Sequence, residues 1–157
     1  MKPSTILLLL LSATVSFGQV RRDNQERLIP TLLDKGSRMT PAQVEEVRAL
    51  FQTIEEGILA GDIVKFSRHF DRQIFVNITR GDNGYFSSGQ AASLLQHYLG
   101  SRKVVSFKFS RLNDKGPTPY ATGRLVSIYR GTLETSQIYV SCSLQSDGWV
   151  IGQFNIY

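Results

Sequence analysis

Val104-Val105-Ser106-Phe107-Lys108-Phe109-Ser110 alternates apolar and polar residues with period two, and reading it as a strand decides the fold. On that period Val105, Phe107 and Phe109 share one face, and Ser106, Lys108 and Ser110 share the other. This is the pattern of a strand with one dry side and one wet side. Residues 113–117, Asn-Asp-Lys-Gly-Pro, form a turn cluster, since Gly and Pro fix backbone angles that other residues avoid. Residues 120–130 are β-rich and are broken by Gly131-Thr132. Residues 137–144 alternate again, with Ile138, Val140, Cys142 and Leu144 on one face and Tyr139, Ser141 and Ser143 on the other. Ser146-Asp147-Gly148 reads as a hairpin turn, and residues 149–157 close the chain. Such short connections make the four strands antiparallel neighbours, because parallel ones need a crossover of a dozen or so residues. One face of this meander needs a cover.

The cover lies upstream. Thr40-Pro41-Ala42-Gln43 starts a helix: Thr40 caps, Pro41 suits the first helical position, and Gln43 completes a capping box. Val44, Val47, Phe51, Ile54 and Ile58 recur at spacings of three and four and form one stripe. Glu45, Glu46, Arg48, Glu55 and Glu56 fall opposite it. Gly61 ends this helix, and Asp62 caps a short second one that carries Ile63, Phe66 and Phe70 inward. Residues 73–79 read as a strand that turns at 80–84 and pairs back through Tyr85-Phe86. Ser87 to Gln90 offers a second capping box, followed by Ala91, Leu94, Leu95, Tyr98 and Leu99 on one helical face up to Gly100. The order is helix, helix, hairpin, helix and four strands: an α+β fold.

The first 18 residues read as an address. Lys2 is the positive start, residues 6–11 are a short apolar core, and Ser16 and Gly18 place small side chains before a cut at Gln19. The run is too short for a membrane-spanning helix, which needs roughly 20 apolar residues. Residues 1–18 are therefore expected to be a signal peptide, 19–39 a loosely ordered arm with apolar dyads around Pro30, and 40–157 a single domain. The protein is expected to be exported, periplasmic or secreted, with cleavage after Gly18.

Of 157 residues, 18 are Lys or Arg and 13 are Asp or Glu, a net charge of +5. Between 101 and 131 seven are basic, among them Lys108, Arg111 and Arg124, and one is acidic, Asp114. A basic sheet face of this kind attracts an acidic partner or an anionic surface; export argues against nucleic acid. Cys142 is the only cysteine, so no intrachain disulfide forms, and its place on an apolar face reads as packing rather than nucleophilic chemistry. His69 and His97 have no ligand spacing, so no metal site is expected. No phosphate loop or nucleophile elbow occurs, and no cofactor is expected. Arg80-Gly81-Asp82 reads as turn chemistry, and the sequon Asn77-Ile78-Thr79 as mid-strand.

This order of elements resembles the nuclear transport factor 2-like superfamily, of cystatin-like α+β cones. The resemblance rests on residues 44–70 with their Gly61-Asp62 break, the hairpin at 73–86, the helix at 87–99 and the strands at 104–157. Gly61-Asp62 together with Tyr85-Phe86-Ser87-Ser88-Gly89-Gln90-Ala91 is similar to a family of exported bacterial proteins of unknown function. The resemblance implies a curved antiparallel sheet wrapped around an N-terminal helix and two shorter helices, with a hollow between. Enzymes of this fold, such as ketosteroid isomerase-like and polyketide cyclase-like members, place Asp, Tyr or His inside the cone. Here the first helix turns only apolar side chains inward. The candidates left to line a pocket are His69, Asp71, Tyr98, Tyr120, Arg124 and Trp149. Two functions are expected from these readings. The first is a non-enzymatic exported module that binds a small apolar ligand or a protein partner, with a homodimer compatible. The alternative is a small acid–base enzyme, of isomerase, dehydratase or cyclase type, that uses His69, Asp71 or Tyr98.

Overall fold

Thr40 begins the first helix as its residue type demands. Its side chain accepts from the Gln43 amide, and the Gln43 side chain accepts from the Thr40 amide, so the capping box is complete. The structure, a computed structural model, describes residues 39–157; the expected signal peptide and, apart from Met39, the expected arm lie outside the described residues. Helix α1 (Pro41–Ala60) ends at Gly61, whose φ of 66° is the left-handed conformation that glycine adopts at least cost. Helix α2 (Val64–Ser67) follows, with the Asp62 side chain accepting from the Val64 amide. Phe70, expected on this helix, instead opens strand β1 (Phe70–Ile78). Strand β2 (Asn83–Ser87) pairs back against β1. Ser87 and Gln90 form the second capping box and start helix α3 (Ser88–Gly100).

The last third is the four-stranded meander: β3 (Lys103–Asn113), β4 (Tyr120–Tyr129), β5 (Thr132–Gln145) and β6 (Gly148–Ile156). The curved open sheet has the order β2-β1-β6-β5-β4-β3. All neighbours are antiparallel except β1 and β6, which pair in parallel, and the whole segment from β2 to β5 connects them.

Two bulges change which side chains reach the core. In β3, Val104 faces Ser127 and Ser106 faces Val126, so Val105 is an extra residue. The extra residue inverts the parity expected from simple alternation. Val104 packs against the core, while Val105 is 53% exposed. In β6, Gln153 faces Ser141 and Ile151 faces Cys142, which leaves Gly152 unpaired. Leu144, expected inward with Cys142, is exposed.

Of the expected stripe on α1, Val47, Phe51, Ile54 and Ile58 are buried and Val44, in the first turn, is only partly so; Leu50, which the expected stripe left out, is buried with them. Glu55 does not stand in solvent opposite them. It is half-buried, and its Oε2 accepts from the Phe109 amide at 3.0 Å. β3 is the last strand of the sheet, so one row of its amides has no strand partner. α1 runs along that edge and covers it. Farther along, Arg48 reaches Asp114 in the β3–β4 connection, with Nε 2.6 Å from the carboxylate. The bond to Asp114 and its charge raise the guanidinium pKa. Gly57 lets α1 meet α2 closely, since a Cβ there would lie 2.6 Å from the Phe66 ring. Among the described residues no helix is long and apolar enough to cross a membrane.

Candidate functional site

Residues directly opposite one another in neighbouring strands share a face, so the pairing defines what each side of the sheet presents. On the helix side one cross-strand row runs Gly123, Ile138, Ile156, and the next runs Ala121, Val140, Phe154, Val76. These side chains, with Val47, Leu50, Phe51, Ile54 and Ile58 of α1, are buried to the last few per cent. Gly123 has no side chain because the Phe107 ring occupies its place; a Cβ would stand 2.9 Å from that ring and 2.6 Å from the Lys108 carbonyl oxygen. The concavity of the sheet is thus occupied by side chains. Among the described residues, open space lies at its rim, on its outer face and between α2 and α3 beside Ile63 and Ala92.

The six residues expected to line a pocket are dispersed. His69 and Asp71 stand at the beginning of β1. The His69 ring accepts from Arg68 Nε at 3.1 Å, while Asp71 accepts from its neighbouring Arg72 amide and from Gln145 Nε2. Tyr98 lines a cleft beside Ile78 and Thr79, where β1 ends. Seven residues of strand separate Asp71 from Ile78, on the order of 20 Å at ~3.3 Å per residue. These three groups therefore cannot act on one substrate atom. Tyr120 stacks on Tyr139 with ring centroids 5.6 Å apart, on the outer face. Arg124 projects from the same face, where it borders a shallow groove with Ser110, Gln137 and Tyr157. Trp149 is buried, and its indole N–H has no partner. Among the described residues no three His, Cys, Asp or Glu side chains gather as a metal site would require.

Two arrangements remain. The first is the rim cleft, of ≈ 630 Å³. Its wall is Arg102, which follows α3. The guanidinium lies 3.7 Å from the centroid of the Tyr98 ring and 4.3 Å from that of Tyr129. Nη1 donates to the Tyr98 carbonyl and to Ser101 Oγ, each at 3.0 Å. Tyr98 Oη and Ser136 Oγ are 3.2 Å apart across the cleft. The second is the outer face. One row reads Lys108, Arg124, Gln137, Tyr157; the next Thr122, Tyr139, Asn155, Asn77, Asn83; the third Tyr120, Ser141, Gln153, Phe75, Tyr85. No acid occurs in these rows. Phe75 and Tyr85 meet edge to face at 5.2 Å, and Tyr85 is 73% exposed.

Sequence reasoning counted Arg102 only in the charge of the segment. The signal that could have singled it out is its spacing of four from Tyr98 at a helix end, which stacks the two. Ser136, Glu134 and Tyr129 carry no local signal.

Comparisons with known proteins agree with this architecture. The chain is similar to the crystal structure of a DUF4783 family protein from Bacteroides uniformis, with 12% identity, TM-score 0.60, 67% of this chain and 93% of that one covered. It is similar to a domain of unknown function with a cystatin-like fold from Nostoc punctiforme, with 14% identity, TM-score 0.58, 75% of this chain and 78% of that one covered. It is also similar to an NTF2-like protein of unknown function from Pseudomonas putida, with 13% identity, TM-score 0.56, 75% and 87% covered. At these identities the likeness carries the fold alone. No curated protein sequence matches the chain. Residues 51–157 match the family described as domain of unknown function DUF4783, and on that span, the bulk of the described domain, the chain belongs to the DUF4783 family with an NTF2-like fold.

Proposed function

We propose that the protein is an exported, non-catalytic interaction module whose outer sheet face docks an acidic protein partner. The observation that carries this reading is the make-up of the three outer rows: tyrosines, amides and hydroxyls around Lys108 and Arg124, with no carboxylate. Tyr and Arg supply contact area and directional bonds at little entropic cost, and they are enriched where proteins bind one another. Lys108 and Arg124 stand directly opposite each other. Like charges so placed oppose folding, so their pairing favours a role outside the fold. The filled concavity disfavours an enclosed site for a small apolar ligand, and the distance between Asp71 and Tyr98 disfavours acid–base catalysis. Export rests on the leader at 1–18.

A labelled polyglutamate peptide probes the face by fluorescence anisotropy. Binding is expected to weaken with salt. It should fall by about tenfold or more in Lys108→Glu/Arg124→Glu, a change of the size that charged contacts carry. Lys65→Glu/Arg68→Glu alters net charge equally, away from the sheet, and should bind nearly as the parent does. Equal losses in the two double variants would reduce the effect to net charge and sink the proposal. Self-association of the purified chain that persisted after charge reversal would identify a second copy as the occupant instead.

A further inference from the structure

We infer that the rim cleft around Arg102 is a binding site for an organic carboxylate with a small apolar body. This site adjoins the outer face, since Ser136 and Tyr157 border both, but Arg102 lies outside the rows proposed to dock the partner and the inference does not depend on that partner.

The argument begins with how Arg102 is held. Its side chain is 14% exposed, and its guanidinium carbon lies over both the Tyr98 and the Tyr129 ring. Nη1 is committed to the Tyr98 carbonyl and Ser101 Oγ. The guanidinium therefore cannot rotate, and the edge left over is the one formed by Nε and Nη2. That edge presents two parallel N–H donors at the spacing of the two oxygens of a carboxylate. Its Nε is buried and has no hydrogen-bond partner among the described residues. A buried guanidinium donor without an acceptor is costly, and proteins seldom leave one idle unless something else fills it.

Glu134 is the nearest internal acceptor. Its Oε2 stands 3.8 Å from Nε, beyond hydrogen-bond range, and its side chain is 41% exposed. It forms an ion pair with the guanidinium without a hydrogen bond, and because Nε is buried a ligand must displace Glu134 to reach the fork. A ligand carboxylate that seats on the fork replaces this loose, solvated pair with a bidentate one. The neighbouring acids also set the charge of the ligand. Glu134 and Asp82 line the cleft against Arg80 and Arg102, so its acids already match its guanidiniums, and a phosphate dianion would upset that balance more than a single negative charge does. A monoanion fits the balance better.

The remainder of the cleft defines the body of the ligand. Leu94, Ile78 and Ile156 supply an apolar wall. Tyr98 Oη and Ser136 Oγ, 3.2 Å apart, offer a hydroxyl pair in which either oxygen donates. A planar or branched carbon skeleton next to the carboxylate suits that wall, and one further polar substituent could reach the hydroxyl pair.

The test uses the whole exported chain with benzoate as probe, benzamide as its neutral counterpart, and inorganic phosphate as the competing anion. The readout is the Arg102 Nε–Hε resonance followed through a titration. Benzoate is expected to shift that resonance saturably, and benzamide to bind about tenfold more weakly or worse, because it cannot fill a charged fork. Phosphate should be no better than benzamide. Arg102→Lys removes the fork together with its Nε–Hε resonance; followed instead through the Ser136 backbone amide in the cleft wall, it should show no preference for benzoate over benzamide. Glu134→Gln leaves Arg102 in place and removes the competing charge, so it should tighten benzoate several-fold; this variant keeps the test decisive if Arg102→Lys folds poorly. Equal affinity for benzoate and benzamide, preference for phosphate, or unchanged benzoate affinity in Glu134→Gln would each overturn the assignment.

Discussion

Cys142 shows how strongly a single position is set by its surroundings. It lies on β5 opposite Ile151 and is 1% exposed, and burial alone pushes its thiol from 9.0 up to about 12. The folded state therefore keeps the proton that the unfolded chain releases. Stability from this group is whole below pH 9 and is lost as pH rises from 9 towards 12, at up to about 1.4 kcal/mol per pH unit. Other groups titrate in that range, so the contribution is isolated by comparison: the fall in denaturation free energy between those pH values should be shallower in Cys142→Ala than in the parent. The native thiol should also resist a thiol reagent at pH 8 until the chain is unfolded. Gly123 is the complementary case, a position fixed by space rather than charge. A Cβ there meets the Lys108 backbone oxygen at 2.6 Å, which a side-chain rotation cannot relieve. Gly123→Ala should cost about 1–3 kcal/mol in a denaturant titration, although alanine suits a strand interior better than glycine.

At the scale of elements, α1 is both the cover of the core and the guard of the sheet edge, and these two tasks fall to different side chains. Phe51 is 2% exposed and meets the Phe109 ring edge to face at 5.7 Å. Phe51→Ala removes that contact and leaves a cavity, so thermal or chemical denaturation should register a loss of about 3–5 kcal/mol. Glu55 guards the edge. Glu55→Ala strands the Phe109 amide that it accepts from, a loss of about 1–3 kcal/mol. Glu55→Gln keeps an acceptor and should lose less. Glu56→Ala, on the exposed side one residue on, should stay within about 0.5 kcal/mol. Periodicity revealed the first task and concealed the second. A spacing of 3.6 tells which residues face the core, but Glu55 sits at the margin of the stripe, where only the position of β3 decides between solvent and strand. Val105 failed to follow the alternation for a related reason: a bulge costs one residue of parity and leaves no mark in a run of two valines. The caps, by contrast, were legible because Thr40 with Gln43 and Ser87 with Gln90 complete their bonds within four residues, with no help from the rest of the chain.

For the whole molecule, the fold could be read because every connection after α3 is short and the turn residues are local. The site could not, because Tyr129 and Ser136 join Tyr98 and Arg102 only through pairings across the sheet. The outer face is likewise invisible until register is known, since nothing in the sequence places Lys108 opposite Arg124. That placement yields the last prediction. Phe107 and Leu125, the adjacent pair, both face the core, so Lys108 and Arg124 must both project outward on neighbouring strands. Lys108→Glu converts a like-charge cross-strand pair into an opposite one, which should raise stability by about 0.2–1 kcal/mol. If the pair had no use, this exchange would simply improve the protein. If the face docks an acidic partner, the same exchange weakens the interaction while strengthening the fold. A thermal melt and a polyglutamate titration on one preparation of Lys108→Glu should therefore move in opposite directions. Stability and binding that rose together, or a melt that fell, would show that the two cations are not paired across β3 and β4 for the sake of a partner.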